Sequence, residues 1–248
     1  MIQHLLQLIW NQRKQNAWLW AELLLVSVFL WFLVDYLYVM GRTYTAPLGF
    51  DIRHTYSIVI SSLSERSPDY IPKEKRERPD GVHLLTALDR IRTYPGVESA
   101  CLTDGGMPYY MGSRNLVWRI DTLQVPCRYA FVTPEFFDVF RIYDKDGKTA
   151  SLKRAIEDNN SIVISADVET MNPGLSLLGQ KAYRGNVTDE IEETIRGISV
   201  PIRRHEYTKA EPNVYRALRL SRMEEGYYEG MIDAVRLCVR VRPDVDNA

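Results

Sequence analysis

The sequence predicts an α+β fold carried on one N-terminal membrane helix. Three observations lead there. Ala17 to Met40 is a continuous apolar run, and no later stretch of the 248 residues approaches its length. From Tyr56 to Leu102, two runs rich in branched residues flank a helical period. Near the far end Val235, Leu237, Val239 and Val241 alternate with Arg236, Cys238, Arg240 and Arg242, the period of a half-buried strand with one wet face.

The apolar run spans 24 residues. As a helix it reaches about 36 Å, enough to cross a hydrocarbon core of about 30 Å. Trp18 and Trp20 sit at one end and Tyr36, Tyr38 and Tyr44 at the other, where amphipathic rings prefer the headgroup layer. Glu22 and Asp35 interrupt the run, and an ionisable group in a membrane helix is by default a functional candidate. Each, however, lies about five residues from an end, within snorkelling reach of the interface. Thirteen helical steps also set them roughly 140° apart, so they do not line one polar path. The expected role of Trp18, Trp20, Glu22, Asp35, Tyr36 and Tyr38 is interface anchoring.

Arg13 and Lys14 are the charged residues before the run, and no acid precedes it. The positive-inside tendency therefore keeps the amino end in the cytoplasm and exports the chain beyond Met40. A cleaved signal peptide is the rival reading. Its apolar segment is normally shorter, and the best small-x-small site, ending at Ala46, is followed by Pro47. An uncleaved anchor is the expectation. Within residues 1–16, Ile2, Leu5, Leu6, Ile9 and Arg13 fall at helical spacing. That pattern fits a surface-lying amphipathic helix or a ragged start to the span, and leaves both open.

Charge excludes several classes. The 31 basic and 32 acidic residues nearly cancel, and removing the two of each in residues 1–40 leaves 29 against 30 in the exported part. No basic excess for nucleic acid is present. Cys101, Cys127 and Cys238 form no C-x-x-C pattern, and His4, His54, His83 and His205 have no metal-ligand spacing. An oxidising compartment would permit one disulfide, Cys101–Cys127 being the nearest pair in sequence. Three is an odd number, and Cys238 alternates with arginines, so this pairing is not the expectation.

The exported elements run in order. Tyr56–Ser62 reads as a strand, and Ser64–Gly81, with Pro68, Pro72 and Pro79, as a loop. Val82, Leu85, Leu88 and Ile91 mark a helix that stops before Pro95-Gly96, and Val97–Leu102 is the next strand. This β-α-β unit is of the kind found in ferredoxin-like domains. Asp104–Gly112 is a glycine-containing loop, and Asn115–Ile120 and Val125–Val132 are strands. Thr133-Pro134-Glu135 reads as an N-cap, a proline at the first helical position and a first-turn acid, opening a helix through Phe140. Ala150–Asp158 and Ala166–Met171 read as helices around a strand, Ser161–Ser165. The rest is strand-like: Thr194–Arg203, Val214–Leu220 and Ala234–Arg242. These make a second mixed α/β portion.

Chemical motifs are near misses. Gly174-Leu-Ser-Leu-Leu-Gly179-Gln-Lys181 places its lysine one position late for a phosphate-binding loop, and Ala182 supplies no hydroxyl. Asp144-Lys-Asp146-Gly147 lacks the closing glutamate of an EF-hand and reads as a turn. No G-x-S-x-G or H-E-x-x-H is present. No catalytic, cofactor or metal residue is expected.

Several spaced signatures resemble one family. Leu88-Asp-Arg-Ile91 leads into Tyr94-Pro95-Gly96-Val97-Glu98. Val132-Thr-Pro-Glu-Phe136-Phe137-Asp-Val-Phe140 precedes Gly147. Ser161-Ile-Val-Ile-Ser165 is followed by Leu178-Gly179-Gln-Lys181, and Ile195-Arg-Gly197-Ile198 by Glu211-Pro212-Asn-Val-Tyr215. In this order, behind a single span, they resemble the N-terminal half of MacB-like ABC transporter permeases, whose periplasmic core domain precedes an FtsX-like membrane domain.

The resemblance implies a surface helix over 1–16, a transmembrane helix over 17–40 and a periplasmic core domain over 41–248. It makes Pro95, Gly96, Phe136, Phe137, Gly147, Gly179 and Gly197 structural positions. It also implies a bacterial inner-membrane protein working as a homodimer or heterodimer of permeases with a cytoplasmic ABC ATPase subunit. A periplasmic adaptor or outer-membrane partner would complete it, and mechanotransmission would be its mode of action. Two departures stand out. Gly147-Lys148 replaces a glycine-arginine pair, and the family's three later membrane helices are not in the sequence, so a fragment, truncated product or incomplete partner is expected. A single-span periplasmic binding or sensory protein is the alternative.

Overall fold

A computed structural model describes residues 7, 10, 17–61, 63–72, 75–110, 112, 114–185, 190–228 and 232–246. The chain divides into two compact units, Met1–Ala46 and Pro47–Ala248.

In the first unit one helix, α1 (Ala17–Thr45), has no buried residue and a mean hydropathy of 2.2 in its most apolar window. By length and composition it is able to cross a membrane. It runs five residues past Met40, because a single glycine, Gly41, does not stop a long helix, no proline occurs before Pro47, and Arg42 suits the last turn. The surface helix expected over residues 1–16 lies outside the described residues, except that Gln7 and Trp10 are helical.

The second unit is a mixed sheet with helices on its faces. Its elements are β1 (Thr55–Val59), α2 (Asp80–Arg92), β2 (Val97–Asp104), β3 (Arg114–Ile120), β4 (Leu123–Val132), α3 (Phe136–Val139), α4 (Ala150–Glu157) and β5 (Ser161–Ser165). After them come α5 (Asp167–Met171), β6 (Lys181–Arg184), β7 (Ile191–Ser199), β8 (Asn213–Ala217), α6 (Leu220–Glu224), a 3₁₀ turn (Ile232–Ala234) and β9 (Arg236–Val241).

The strands are ordered β1-β9-β2-β4-β3-β6-β7-β5-β8, and β4 also pairs with β8. That last pairing closes β4, β3, β6, β7, β5 and β8 into a ring of six strands. Each of the six contributes to one core: Trp118 and Ile120 from β3, Cys127 from β4, Ile162 and Ile164 from β5, Ala182 from β6, Ile195 from β7 and Val214 from β8. Side chains fill a ring this small completely.

Outside the ring lies the β-α-β unit. β1 and β2 are both antiparallel to β9, which runs between them, so the unit is split by a strand from the far end of the chain. Leu84 and Leu88 of α2 cover one face of these strands, packed with Ala100, Leu102, Leu237 and Val239. Cys101 and Cys238, opposite each other in register, point to the other face, where α3 and α4 form a third core.

Several sequence expectations are corrected here. β9 has no wet face, since Cys238 and Arg240 are 0% and 1% exposed. As an inner strand it is covered on both sides. Thr133 does not cap a helix: its hydroxyl accepts a hydrogen bond from the Leu102 N–H at 3.1 Å, which ties β4 to β2, and the helix starts at Phe136. The strand expected over Val214–Leu220 ends at Ala217 and gives way to α6, and β6 was not expected. Cys101 and Cys127 are buried in different cores, and all three thiols are free.

Candidate functional site

The six expected anchors all lie on α1 with exposed side chains. From Trp18 to Tyr38 the helix rises about 30 Å, the thickness of a bilayer core. The aromatic rings thus bracket an apolar length matched to a membrane.

The seven family-motif positions lie in the second unit and form no single site. Pro95 and Gly96 make the turn into β2, closed by a 3.0 Å hydrogen bond from Val97 N–H to the Tyr94 carbonyl. Phe136 and Phe137, both fully buried, meet edge to face at 5.9 Å; Phe136 also packs on Phe140 at 4.8 Å, and both pack on Tyr215 at 5.5 and 5.6 Å. Gly197 in β7 lies under the same core: a Cβ there would stand 2.8 Å from Val163 and 3.0 Å from Ala155. Space, not a special dihedral, selects that glycine. Gly147 and Gly179, at φ +75° and +83°, sit in separate turns with open surroundings. The fold therefore gathers Phe136, Phe137 and Gly197 around one core and leaves the other four in turns.

The calcium-like segment is a turn built on one carboxylate. Asp144 accepts hydrogen bonds from the N–H groups of Asp146 at 2.9 Å and Lys148 at 2.8 Å, and one from the Ser151 hydroxyl. Partial burial pushes its carboxyl up, but these donors outweigh it and hold it below the usual range. Among the described residues no group of three or more His, Cys, Asp or Glu could hold a metal ion.

A cavity of about 390 Å³ opens where strands end. Asp104, Arg184 and Ala217 are the last residues of β2, β6 and β8, while Arg114 and Ile191 open β3 and β7. Five arginines line it (Arg114, Arg184, Arg216, Arg219 and Arg222) against two acids, Asp104 and Glu193. Register places Glu193 on β7 within reach of two guanidinium groups: Arg216 Nε is 2.8 Å from its Oε1, and Arg184 Nε is 3.4 Å from its Oε2. Arg114 Nη1 stands 2.9 Å from Asp104 Oδ2. Arg216 lies over the Phe131 ring at 5.0 Å and Arg222 over the Tyr227 ring at 5.2 Å.

Crowding is visible in the titrating groups. Burial lowers the Arg216 pKa, Glu193 counteracts it, and the neighbouring Arg184 and Arg219 lower it further. Burial pushes the Tyr228 hydroxyl up to about 12, with the Asp104 charge adding to it. The side chains of Arg219 and Arg222 make no ion pair or hydrogen bond with a carboxylate among the described residues. Sequence reasoning missed this cluster because the chain's totals balance. The signal was the three-residue spacing of Arg216, Arg219 and Arg222, which runs through the strand expected over Val214–Leu220 and just past its end.

No family model matches the chain, and no curated protein matches it. Among solved structures it is similar to a domain assigned to a permease protein from Porphyromonas gingivalis, with 21% identity and a TM-score of 0.45 over 64% of this chain. The chain spans 62% of the length of that structure. It is similar to the periplasmic region of MacB from Actinobacillus actinomycetemcomitans, with 10% identity and a TM-score of 0.44, covering 83% of this chain and 82% of that one. It is also similar to the extracellular domain of the noncanonical ABC-type transporter YknZ from Gram-positive bacteria, with 12% identity and a TM-score of 0.44, covering 77% and 85% respectively.

Proposed function

We propose that this chain is a membrane-anchored permease component of a MacB-like ABC transporter, in which the exported α+β unit couples ATPase-driven motion to export or to extracytoplasmic partner proteins. The observation that carries the reading is α1: an apolar helix of 29 residues with no buried side chain, attached to a separately folded unit. The basic flank at Arg13 and Lys14 supports a cytoplasmic amino end in a bacterial inner membrane, with residues 47–248 in the periplasm. The ordered signatures from Pro95-Gly96 to Gly197 support the family.

The segment around Gly179 lacks the lysine and hydroxyl placement of a phosphate-binding loop, so ATP hydrolysis falls to a separate cytoplasmic subunit. Dimerisation with a like permease and docking to a periplasmic adaptor or outer-membrane partner belong to the same reading. Affinity purification of the full chain from native membranes in mild detergent tests it. An ABC ATPase subunit should co-purify at stoichiometric yield, and its consistent absence would remove the reading.

The arginine-lined cavity favours a second reading, a single-span periplasmic binding or sensory protein. A small-molecule ligand that raises the melting temperature of the full chain, with no ATPase partner, would select it.

A further inference from the structure

The geometry points to the strand-end cavity as a binding site for a phosphoryl group, carried either by a soluble phosphate ester or by a phospholipid headgroup. The inference depends on neither the topology nor the ATPase, so its failure leaves the transport reading standing.

Charge is the first step. Among the described residues the cavity walls carry five guanidinium groups against two carboxylates, in a protein whose formal net charge is −1. Both carboxylates already face arginines: Glu193, 1% exposed, lies between Arg184 and Arg216, and Asp104, 3% exposed, faces Arg114. Among the described lining residues this leaves an excess of three positive charges. Arg216 is held by a carboxylate, whereas Arg219 and Arg222 face none among the described residues, and Arg222 lies against the Tyr227 ring at 5.2 Å.

Ligand chemistry is set by the donors. A guanidinium presents a planar fork of N–H groups that matches a pair of anionic oxygens, and its charge persists at all physiological pH. A single carboxylate would neutralise one of the three excess charges. A phosphate monoester, as in a soluble ester or phosphatidic acid, carries close to two and offers three acceptor oxygens, so it can engage Arg219, Arg222 and the free edge of Arg184 or Arg216 together. Phe131, Tyr227 and Tyr228 supply apolar wall for the organic part of the molecule, and about 390 Å³ admits a headgroup-sized ligand. Glu193 is a positioning residue, fixing the Arg184 and Arg216 forks toward the cavity.

The test uses the full chain in detergent micelles. Inorganic pyrophosphate and glycerol 3-phosphate are the soluble probes, phosphatidic acid doped into the micelles the lipid probe, with phosphatidylcholine-doped micelles as its control, and citrate the carboxylate control. Binding is measured by calorimetry at two salt concentrations. Wild type should bind at least one phosphate probe saturably. Arg219→Gln/Arg222→Gln should weaken that binding about tenfold or more, since each charge-assisted pair carries much of the affinity. The variant should melt like wild type, because Arg219 is half-buried and Arg222 exposed. Lys145→Gln, which removes a cation paired with Glu169 away from the cavity, should bind like wild type. Binding of glycerol 3-phosphate assigns a free ester, and binding of phosphatidic acid alone, lost in the arginine variant, assigns a lipid headgroup. No phosphate binding, binding indifferent to the arginine substitutions, or citrate binding as tight as pyrophosphate would each overturn the proposal.

Discussion

Arg240 is 1% exposed on an inner strand, and among the described residues no ion pair holds its guanidinium, Asp51 and Glu98 acting on it only from a distance. Its donors serve three backbone carbonyls: Nε bonds Val139 O at 2.7 Å, Nη1 bonds Arg53 O at 2.8 Å, and Nη2 bonds Asp51 O. One side chain thus pins the end of α3 and the segment before β1 onto β9. Arg240→Met keeps most of the stem volume and removes all three donors.

Leaving a buried acceptor unpaired costs about 1–3 kcal/mol. Val139 O, beside a buried core, retains the longer 3.4 Å bond from the Thr55 hydroxyl and should sit near the middle of that range. Asp51 and Arg53 lie in a segment water can reach, so their carbonyls should sit at the lower end. Removing a desolvated charge returns part of the loss, and a net destabilisation of about 2–3 kcal/mol is expected. For a unit of this size that is a fall in melting temperature of about 4–12 °C. The assay is thermal unfolding of the full chain in detergent, followed by near-ultraviolet circular dichroism. Arg240→Lys, with one compact donor head, should fall between. An Arg240→Met variant melting within about 1 °C of wild type would refute the reasoning, because the three bonds would then contribute nothing that water cannot supply.

Three further outcomes are expected. Gly197→Ala forces Val163 and Ala155 apart, so urea unfolding should show a loss of about 1–3 kcal/mol, whereas a variant as stable as wild type would mean the β7–α4 contact is loose. Burial pushes the Cys127 thiol up to about 12, so iodoacetamide at pH 8 should modify it slowly in the native protein and at the rate of a free thiol in denaturant. Asp246 is held below the usual carboxylate range by the Tyr56 hydroxyl and His54, and Asp158 by the Asn160 N–H and Ser161 hydroxyl. Their stabilisation is present above the unfolded carboxylate pKa and is lost as pH falls through the lowered folded values, below about pH 4. Burial raises Asp104 and Asp167, giving the opposite sign: their contribution is present at low pH and lost as pH rises through the folded values. Melting from pH 7 to pH 3 should therefore show an acid limb that Asp246→Asn flattens.

Local chemistry wrote some elements plainly. The membrane helix needed only hydropathy, and the Pro95-Gly96 stop needed only the two residues that cannot continue a helix. Ser161–Ser165, buried at all five positions, was legible because a run of branched residues between turn signals has few other uses. The misses are non-local. β9 reads as one wet face and one dry because arginines usually seek water, and nothing nearby reveals that Val139 and the 51–53 segment will supply carbonyls. Thr133 reads as a cap because its neighbours spell one, yet Leu102, 31 residues earlier, takes its hydroxyl. β6 and α6, of four and five residues, are too short to show a period. The closure of β4 on β8 leaves no local mark at all. The arginine cavity escaped for a similar reason, since it draws on five strand ends and a short helix that only the fold brings together.

The central claim is a single N-terminal membrane helix bearing an exported α+β unit, and its most direct test is a pair of C-terminal fusions of the full chain in a Gram-negative host. Alkaline phosphatase, which matures only outside the cytoplasm, should be active, while a green fluorescent protein that fluoresces only inside should stay dark. A dark phosphatase and a bright fluorescent protein would contradict the account.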